Sequence, residues 1–234
     1  MLKFSFPQHF PFRLHSTAGI FCCGVLLSGC ALAPSELKKI RPPSLPQPKV
    51  PELKAGELPT ITVIPGGTES YWNEARRGAE AAGKQFGARV EWKVPVPRIP
   101  HRSEVALYLA QKELVEKTAT TSQGLVVAPV DSTKMMQPVG KAARAGVSVV
   151  VFDRDVFTIQ NKLSFVHNDD AKSAALVAAH EVMDTGQPDY YQMAFQSVKA
   201  IMDFRTTKQM PPREIKIAPR VITKGSKPTN RSTP

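Results

Sequence analysis

Three short runs rich in β-branched residues, Thr60 to Ile64, Leu125 to Ala128 and Val147 to Phe152, punctuate the middle of the chain, and Val90 to Val94 is predicted as a further strand. Runs of this length and content read as strands buried on both faces of a parallel sheet. The segments between them carry a helical period. Ser70 to Phe86 places Glu74, Arg77, Glu80 and Lys84 at spacings that suit a solvated face. A second helix is predicted from about Ser103 to Thr120, and a third from the start signal Asp131-Ser132 to Ala145. Gly87 and Gly146 supply stop signals, while Pro65-Gly66-Gly67 and the segment Pro95 to Pro100 read as loops. The alternation predicts an α/β fold, a doubly wound parallel sheet with right-handed crossovers.

In open sheets of this kind ligands bind beyond the carboxyl ends of the strands. Asp131, Asp153 and Arg154 fall there. Asp131 also suits the cap of the helix that follows, and that reading is preferred over ligand contact. The Gly66-Gly67 pair lacks the G-x-G-x-x-G pattern, and no G-x-x-x-x-G-K-[ST] occurs, so a phosphate-binding loop is excluded. His101, His167 and His180 form no metal spacing, and no assembled nucleophile, base and orienting group is legible. No cofactor is implied, and an enzyme is not expected.

The ends of the chain differ in composition. Lys3 and Arg13 precede the apolar segment Ala18 to Leu27, which is too short to span a bilayer and closes in Leu27-Ser28-Gly29-Cys30. This ending resembles the bacterial lipobox, in which the cysteine becomes the acylated N-terminus; a plain signal peptide with an incidental cysteine is the alternative. Cys22, Cys23 and Cys30 all lie here, so the mature domain is expected to hold no disulfide. Acyl chains on Cys30 would anchor the protein at a membrane without a transmembrane helix. Ala31 after that cysteine favours outer-membrane or cell-surface placement. Residues 31–59 form a proline-rich linker, extended at about 3.1 Å per residue in the polyproline conformation. The formal net charge of +11 lies largely in Lys38, Lys39, Arg41 and a C-terminal stretch from Arg205 to Arg231. Solvated basic linkers explain it better than a nucleic-acid site, since aromatic residues are not interleaved with those charges.

Five strings taken in order carry a resemblance to a known family: ITVIPGG, YWNEARRGAEAAGKQFG, QKELVEKTATTSQGLVVAPVDS, AARAGVSVVVFDRDV and LSFVHNDDAKSAALVAA. Together they resemble the sugar-binding class of type I periplasmic binding proteins, the ribose-binding group in particular, over about residues 60–183. The segment from Asp189 to Lys224 is similar to the end of the same family. The resemblance implies a two-lobe protein that traps its ligand by hinge closure. It implies first-lobe ligand contacts at Gly67 to Glu69, at Tyr71 and Trp72, and at Asp153 and Arg154. An aromatic face stacks on a sugar ring, and charged groups give sugar hydroxyls strong directional hydrogen bonds. Tyr71 and Trp72 read equally as packing at a helix start, and Asp153 with Arg154 as a surface pair or cap. A family glutamine contact precedes the returning helix; Gln187 lies near it, shifted by one position.

One departure stands out. Asp184-Thr185-Gly186-Gln187-Pro188 passes almost directly into the returning segment, where the family has most of a second lobe. The expected organisation is a lipoprotein signal (1–30), the linker (31–59), a first lobe (60–156), a remnant of the second lobe (157–187), a returning helix (188–212) and a terminal strand with a basic tail (213–234). The expected function is that of a lipid-anchored solute-binding component of an ABC sugar transporter. Its partners would be a small sugar, a permease or receptor, and the membrane, with no nucleic acid, in the periplasm or at the cell surface. The alternative is a truncated, ligand-free relative acting as an interaction module of the cell envelope or a degenerate product.

Overall fold

The computed structural model describes residues 53–97, 103–157, 159–179 and 188–220. The expected signal and Cys30, the linker up to Glu52, His101, His180, Gln187 and the tail from Val221 lie outside the described residues.

Among the described residues, six strands form one sheet in the order β2-β1-β3-β4-β5-β6, with every neighbouring pair parallel. The strands are β1 (Thr60–Ile64), β2 (Arg89–Trp92), β3 (Gly124–Val127), β4 (Ser148–Phe152), β5 (Ser164–Asn168) and β6 (Glu214–Ile217). Five helices accompany them: α1 (Trp72–Phe86), α2 (Glu104–Thr121), α3 (Met136–Arg144), α4 (Asp170–Ala179) and α5 (Tyr190–Thr207). Every residue of β1, β3 and β4 is buried, as continuous apolar runs in a two-sided sheet require.

Residue alternation assigns each strand side chain to one of two cores. Val126, Val150 and Phe152 pack with α1 and α5 through Ala75, Ala79, Met193 and Ile201. Leu125, Val127, Val149 and Val151 pack with α2 and α3 through Val115, Met135 and Val139. Gly87 ends α1 in the left-handed conformation, φ 71°, as its stop signal implied.

One detail differs from the expectation. The regular helix after β3 begins at Met136, beyond the Asp131-Ser132 signal. Asp131 instead caps the turn before it, its Oδ1 accepting from the backbone N–H of Thr133 at 2.9 Å and of Lys134 at 2.8 Å. Its other oxygen meets Lys134 Nζ at 2.9 Å, and these bonds hold the Asp131 carboxyl below the usual range.

Residues 159–179 belong to the segment expected as a second-lobe remnant, for which the sequence left open whether it adds to the first-lobe sheet. Their strand β5 pairs with β4 on one side and β6 on the other, inside the single described sheet. Leu163 and Val166 are fully buried, and the ladder satisfies backbone groups that an isolated strand would leave open.

Candidate functional site

The strand order reverses between β1 and β3: the chain leaves β1 for β2 on one side and returns to β3 on the other. Loops that diverge at such a switch point leave a crevice at the carboxyl ends of the strands. A cleft of about 430 Å³ opens there. Its walls come from the loop after β1 with the start of α1 (Gly66, Glu69, Tyr71, Trp72), the start of α2 (Glu104, Leu107), the loop after β3 (Pro129, Val130, Asp131) and the end of β4 (Asp153, Arg154).

The first wall is tightly folded. Trp72 Nε1 donates to Glu69 Oε2 at 3.1 Å, drawing that carboxylate back over Gly67. A Cβ on Gly67 would stand 2.2 Å from the same oxygen, and one on Gly66 would stand 3.0 Å from the Trp72 ring. A side chain at either glycine would therefore displace Glu69 or press on the Trp72 ring.

A buried amide joins this wall to the next. Gln111, on α2, donates through Nε2 to the carbonyls of Pro65 at 2.9 Å and Ala128 at 2.7 Å. Its Oε1 accepts from the Val130 N–H at 2.9 Å. One side chain therefore satisfies backbone groups of the loops after β1 and β3 and holds them in register. The Val130 carbonyl in turn accepts from Arg154 Nη1 at 3.3 Å, linking the third wall to the second.

Asp153 leaves β4 with φ 67°, a left-handed conformation that a residue other than glycine seldom adopts. Its N–H donates to the Val166 carbonyl at 3.0 Å, so the turn is held by the neighbouring strand. Strained backbone of this kind persists where surrounding structure over-determines it, and it concentrates at ligand clamps. Burial pushes the Asp153 carboxyl above the usual range, against the lowering effect of the neighbouring Arg154.

An aromatic cluster backs the carboxylates. Tyr71 stacks on Tyr190 with centroids 4.8 Å apart, and Trp72 meets Tyr71 at 4.9 Å, Tyr190 at 5.2 Å and Phe152 edge-on at 5.8 Å. Trp72 retains 5% of its surface, whereas Tyr71 keeps 43%. Tyr71 is therefore the ring with a face to offer, and Trp72 forms the wall behind it. Burial, with Glu69 and Asp153 nearby, raises the Tyr71 hydroxyl above its ordinary value and keeps it a neutral donor.

The fold thus brings Glu69, Tyr71, Trp72, Asp153 and Arg154 to one cleft, with Gly67 buried beneath Glu69. Gln187 falls outside the described residues. Reading the sequence missed Gln111 and Tyr190. Gln111 gave no signal beyond a polar residue inside a helix, and Tyr190 belongs to a segment far along the chain from the strand ends it serves. Chemically, the cleft offers carboxylate acceptors, a guanidinium donor and one aromatic face, which suits a small polyhydroxylated solute.

By sequence, no curated protein matches the chain at a significant level. Among solved structures, the chain is similar to an ABC transporter solute-binding protein from Agrobacterium vitis bound with α-D-tagatopyranose, at 22% identity over 68% of this chain and 56% of that one, TM-score 0.41. It is also similar to an arabinose-binding protein from Geobacillus stearothermophilus, at 18% identity over 69% of this chain and 56% of that one, TM-score 0.45. A carbohydrate transporter solute-binding protein from Agrobacterium radiobacter, in complex with D-arabinose, gives 19% identity over 70% and 57%, TM-score 0.42. The chain spans 56–57% of the length of these three solved proteins. Residues 61–217, which hold the cleft and, but for Thr60, the six described strands, match the periplasmic binding protein domain, and the chain belongs to that family.

Proposed function

We propose that the protein binds a small sugar, or a similar polar solute, outside the cytoplasm and without chemistry, as the solute-binding component of an ABC transporter. The observation that carries this reading is the convergence of Glu69, Tyr71, Asp153 and Arg154 on one cleft at the switch point of a periplasmic binding protein domain. Cys30 would be the acylated residue that holds the protein at the membrane, and residues 31–59 the spacer that carries the domain away from it.

All the lining residues come from the rim of one sheet, so a bound sugar keeps much of its surface in water. Each hydrogen bond then nets roughly 1 kcal/mol. Four of them correspond to a Kd on the order of 1 mM. Isothermal titration of the full chain with D-ribose, L-arabinose, D-xylose and D-galactose tests the reading. Binding of at least one sugar, weakened about tenfold or more in Asp153→Ala and Arg154→Ala, supports it.

The competing reading is a ligand-free relative acting as an envelope module. Silence toward every sugar, with no rise in Tm at high sugar concentration, would establish that alternative.

A further inference from the structure

Gln111 follows Glu104 and Leu107, the two residues that α2 brings to the cleft wall, along one stripe of the helix. Unlike them it is fully buried and does not line the cleft. Its amide brackets Pro129, donating to the Ala128 carbonyl at 2.7 Å and accepting from the Val130 N–H at 2.9 Å. These are bonds that a neighbouring strand would otherwise supply, and Pro129 between them has no N–H to satisfy. On the far side of Val130 the Asp131 carboxylate closes its turn on the N–H groups of Thr133 and Lys134. Val130 is therefore held from both directions, and its carbonyl accepts from Arg154 Nη1 at 3.3 Å.

We infer that Gln111 is a positioning residue for Arg154: by fixing the Val130 backbone it sets where the guanidinium stands at the cleft, and it contributes to ligand affinity without touching the ligand. The contribution to affinity rests on the function proposed above; the hold on Arg154 does not. Arg154 is a long side chain, and among the described residues its hydrogen-bond acceptor is this backbone carbonyl. A side chain with one anchor is placed only as well as that anchor is placed. One bond engages one of five guanidinium donors and leaves the rest of the fork for a solute. A donor fixed before the solute arrives also loses less rotamer freedom on binding than a free one. Removing the Gln111 amide frees the Ala128 and Val130 backbone, and the anchor of Arg154 with it.

The test is an NMR titration of the full chain with D-ribose, L-arabinose, D-xylose and D-galactose, comparing wild type with Gln111→Leu, Arg154→Ala and the double variant under conditions where each is folded. Gln111→Met, which keeps an unbranched side chain, replaces Gln111→Leu if that variant does not fold. Val115→Ala, one turn further along α2 in the same core, controls for lost stability because it removes buried methyl groups without freeing either loop. Loss of the Gln111 amide is expected to weaken sugar binding about 3- to 10-fold, while Val115→Ala leaves affinity unchanged. Once Arg154 is alanine, the Gln111 substitution should cost little more. Independently of any sugar, nitrogen-15 NMR of the Arg154 guanidinium, assigned with Arg154→Lys, should show rotation of its Nη groups restrained in wild type and freed in the Gln111 variant. Identical guanidinium signals in the two proteins overturn the inference, as do additive losses in the cycle or unchanged affinity for a sugar that binds. If sugars bind and the guanidinium does not respond, positioning fails and the proposed function stands. If the guanidinium is freed while no sugar binds the wild type, the proposed function fails and the hold on Arg154 stands.

Discussion

The backbone carbonyl of Tyr191 lies where any side chain on Gly78 would have to go: a Cβ there would stand 2.1 Å from that oxygen. Helices α1 and α5 cross at this point, and the absence of a Cβ lets the start of α5, with Tyr190, press against the start of α1, with Tyr71 and Trp72. The aromatic cluster of the cleft depends on that approach.

Gly78→Ala is expected to destabilise the protein. The intrinsic helix preference gains about 1 kcal/mol from alanine. Overpacking against backbone costs about 1–3 kcal/mol and cannot be relieved by a rotamer change. A net loss of up to about 2 kcal/mol should appear in urea unfolding, together with altered Tyr71 or Tyr190 fluorescence; greater stability than wild type would refute the close crossing.

Gln111→Leu removes three hydrogen bonds at once and strands the carbonyls of Pro65 and Ala128 beside a buried side chain. The expected loss is about 2–4 kcal/mol. Gln111→Glu sharpens the test, because a carboxylate facing two carbonyls is unfavourable and protonation relieves it. The folded-state pKa of the introduced glutamate would be raised, so its stability should approach that of wild type at low pH and fall away as pH rises through that value. A pH-independent deficit would argue against this geometry.

Asp153→Asn should stabilise the protein at neutral pH. Burial raises the folded pKa of Asp153 above its ordinary value. Below the unfolded pKa both states are protonated and the aspartate has no linkage cost; as pH rises through the folded pKa, stability is lost relative to a group that cannot ionise. Asparagine also tolerates the left-handed backbone at φ 67°. A gain of about 0.5–1 kcal/mol at pH 7, shrinking toward pH 3.5, accompanied by weaker sugar binding, is the expected trade. Thermal unfolding at the two pH values checks it, and a destabilised variant at pH 7 would contradict it.

Lys162 and Asp155 form an ion pair whose side chains keep only 13% and 14% of their surface, and Lys162 Nζ also donates to the Val156 carbonyl at 3.3 Å. The pair closes the turn that follows Asp153 and Arg154. Lys162→Met should cost about 2–4 kcal/mol, because it leaves a carboxylate largely buried and unpaired. Adding Asp155→Asn should recover a substantial part of that loss, and a double-mutant cycle measures the coupling. Strict additivity would show that the pair does not hold the turn.

Much of this molecule follows from local pattern. The runs at Thr60, Leu125 and Val147 had to be strands of a two-sided sheet, since every position in them is apolar, β-branched or small and none faces water. The position of the cleft follows from the alternation of elements, which puts Asp131, Asp153 and Arg154 at the strand ends, whereas Glu69 and Tyr71 are named from the resemblance to the family. The helix start at Asp131 was misplaced by one turn because the same carboxylate caps a tight turn as readily as a helix.

Contacts between remote segments belong to the tertiary structure alone. The sequence determined the sheet, its connections and the rim on which a ligand would rest, because periodicity and punctuation are local properties. Only the fold decided that Trp72 is a wall while Tyr71 is a face, that Gln111 ties two loops, that β5 completes the sheet beside β4, and that Tyr190 stacks on Tyr71. The physical reason is that burial, a close approach and a shared hydrogen bond are properties of pairs of residues brought together by packing, and no periodicity along the chain encodes which pairs those will be.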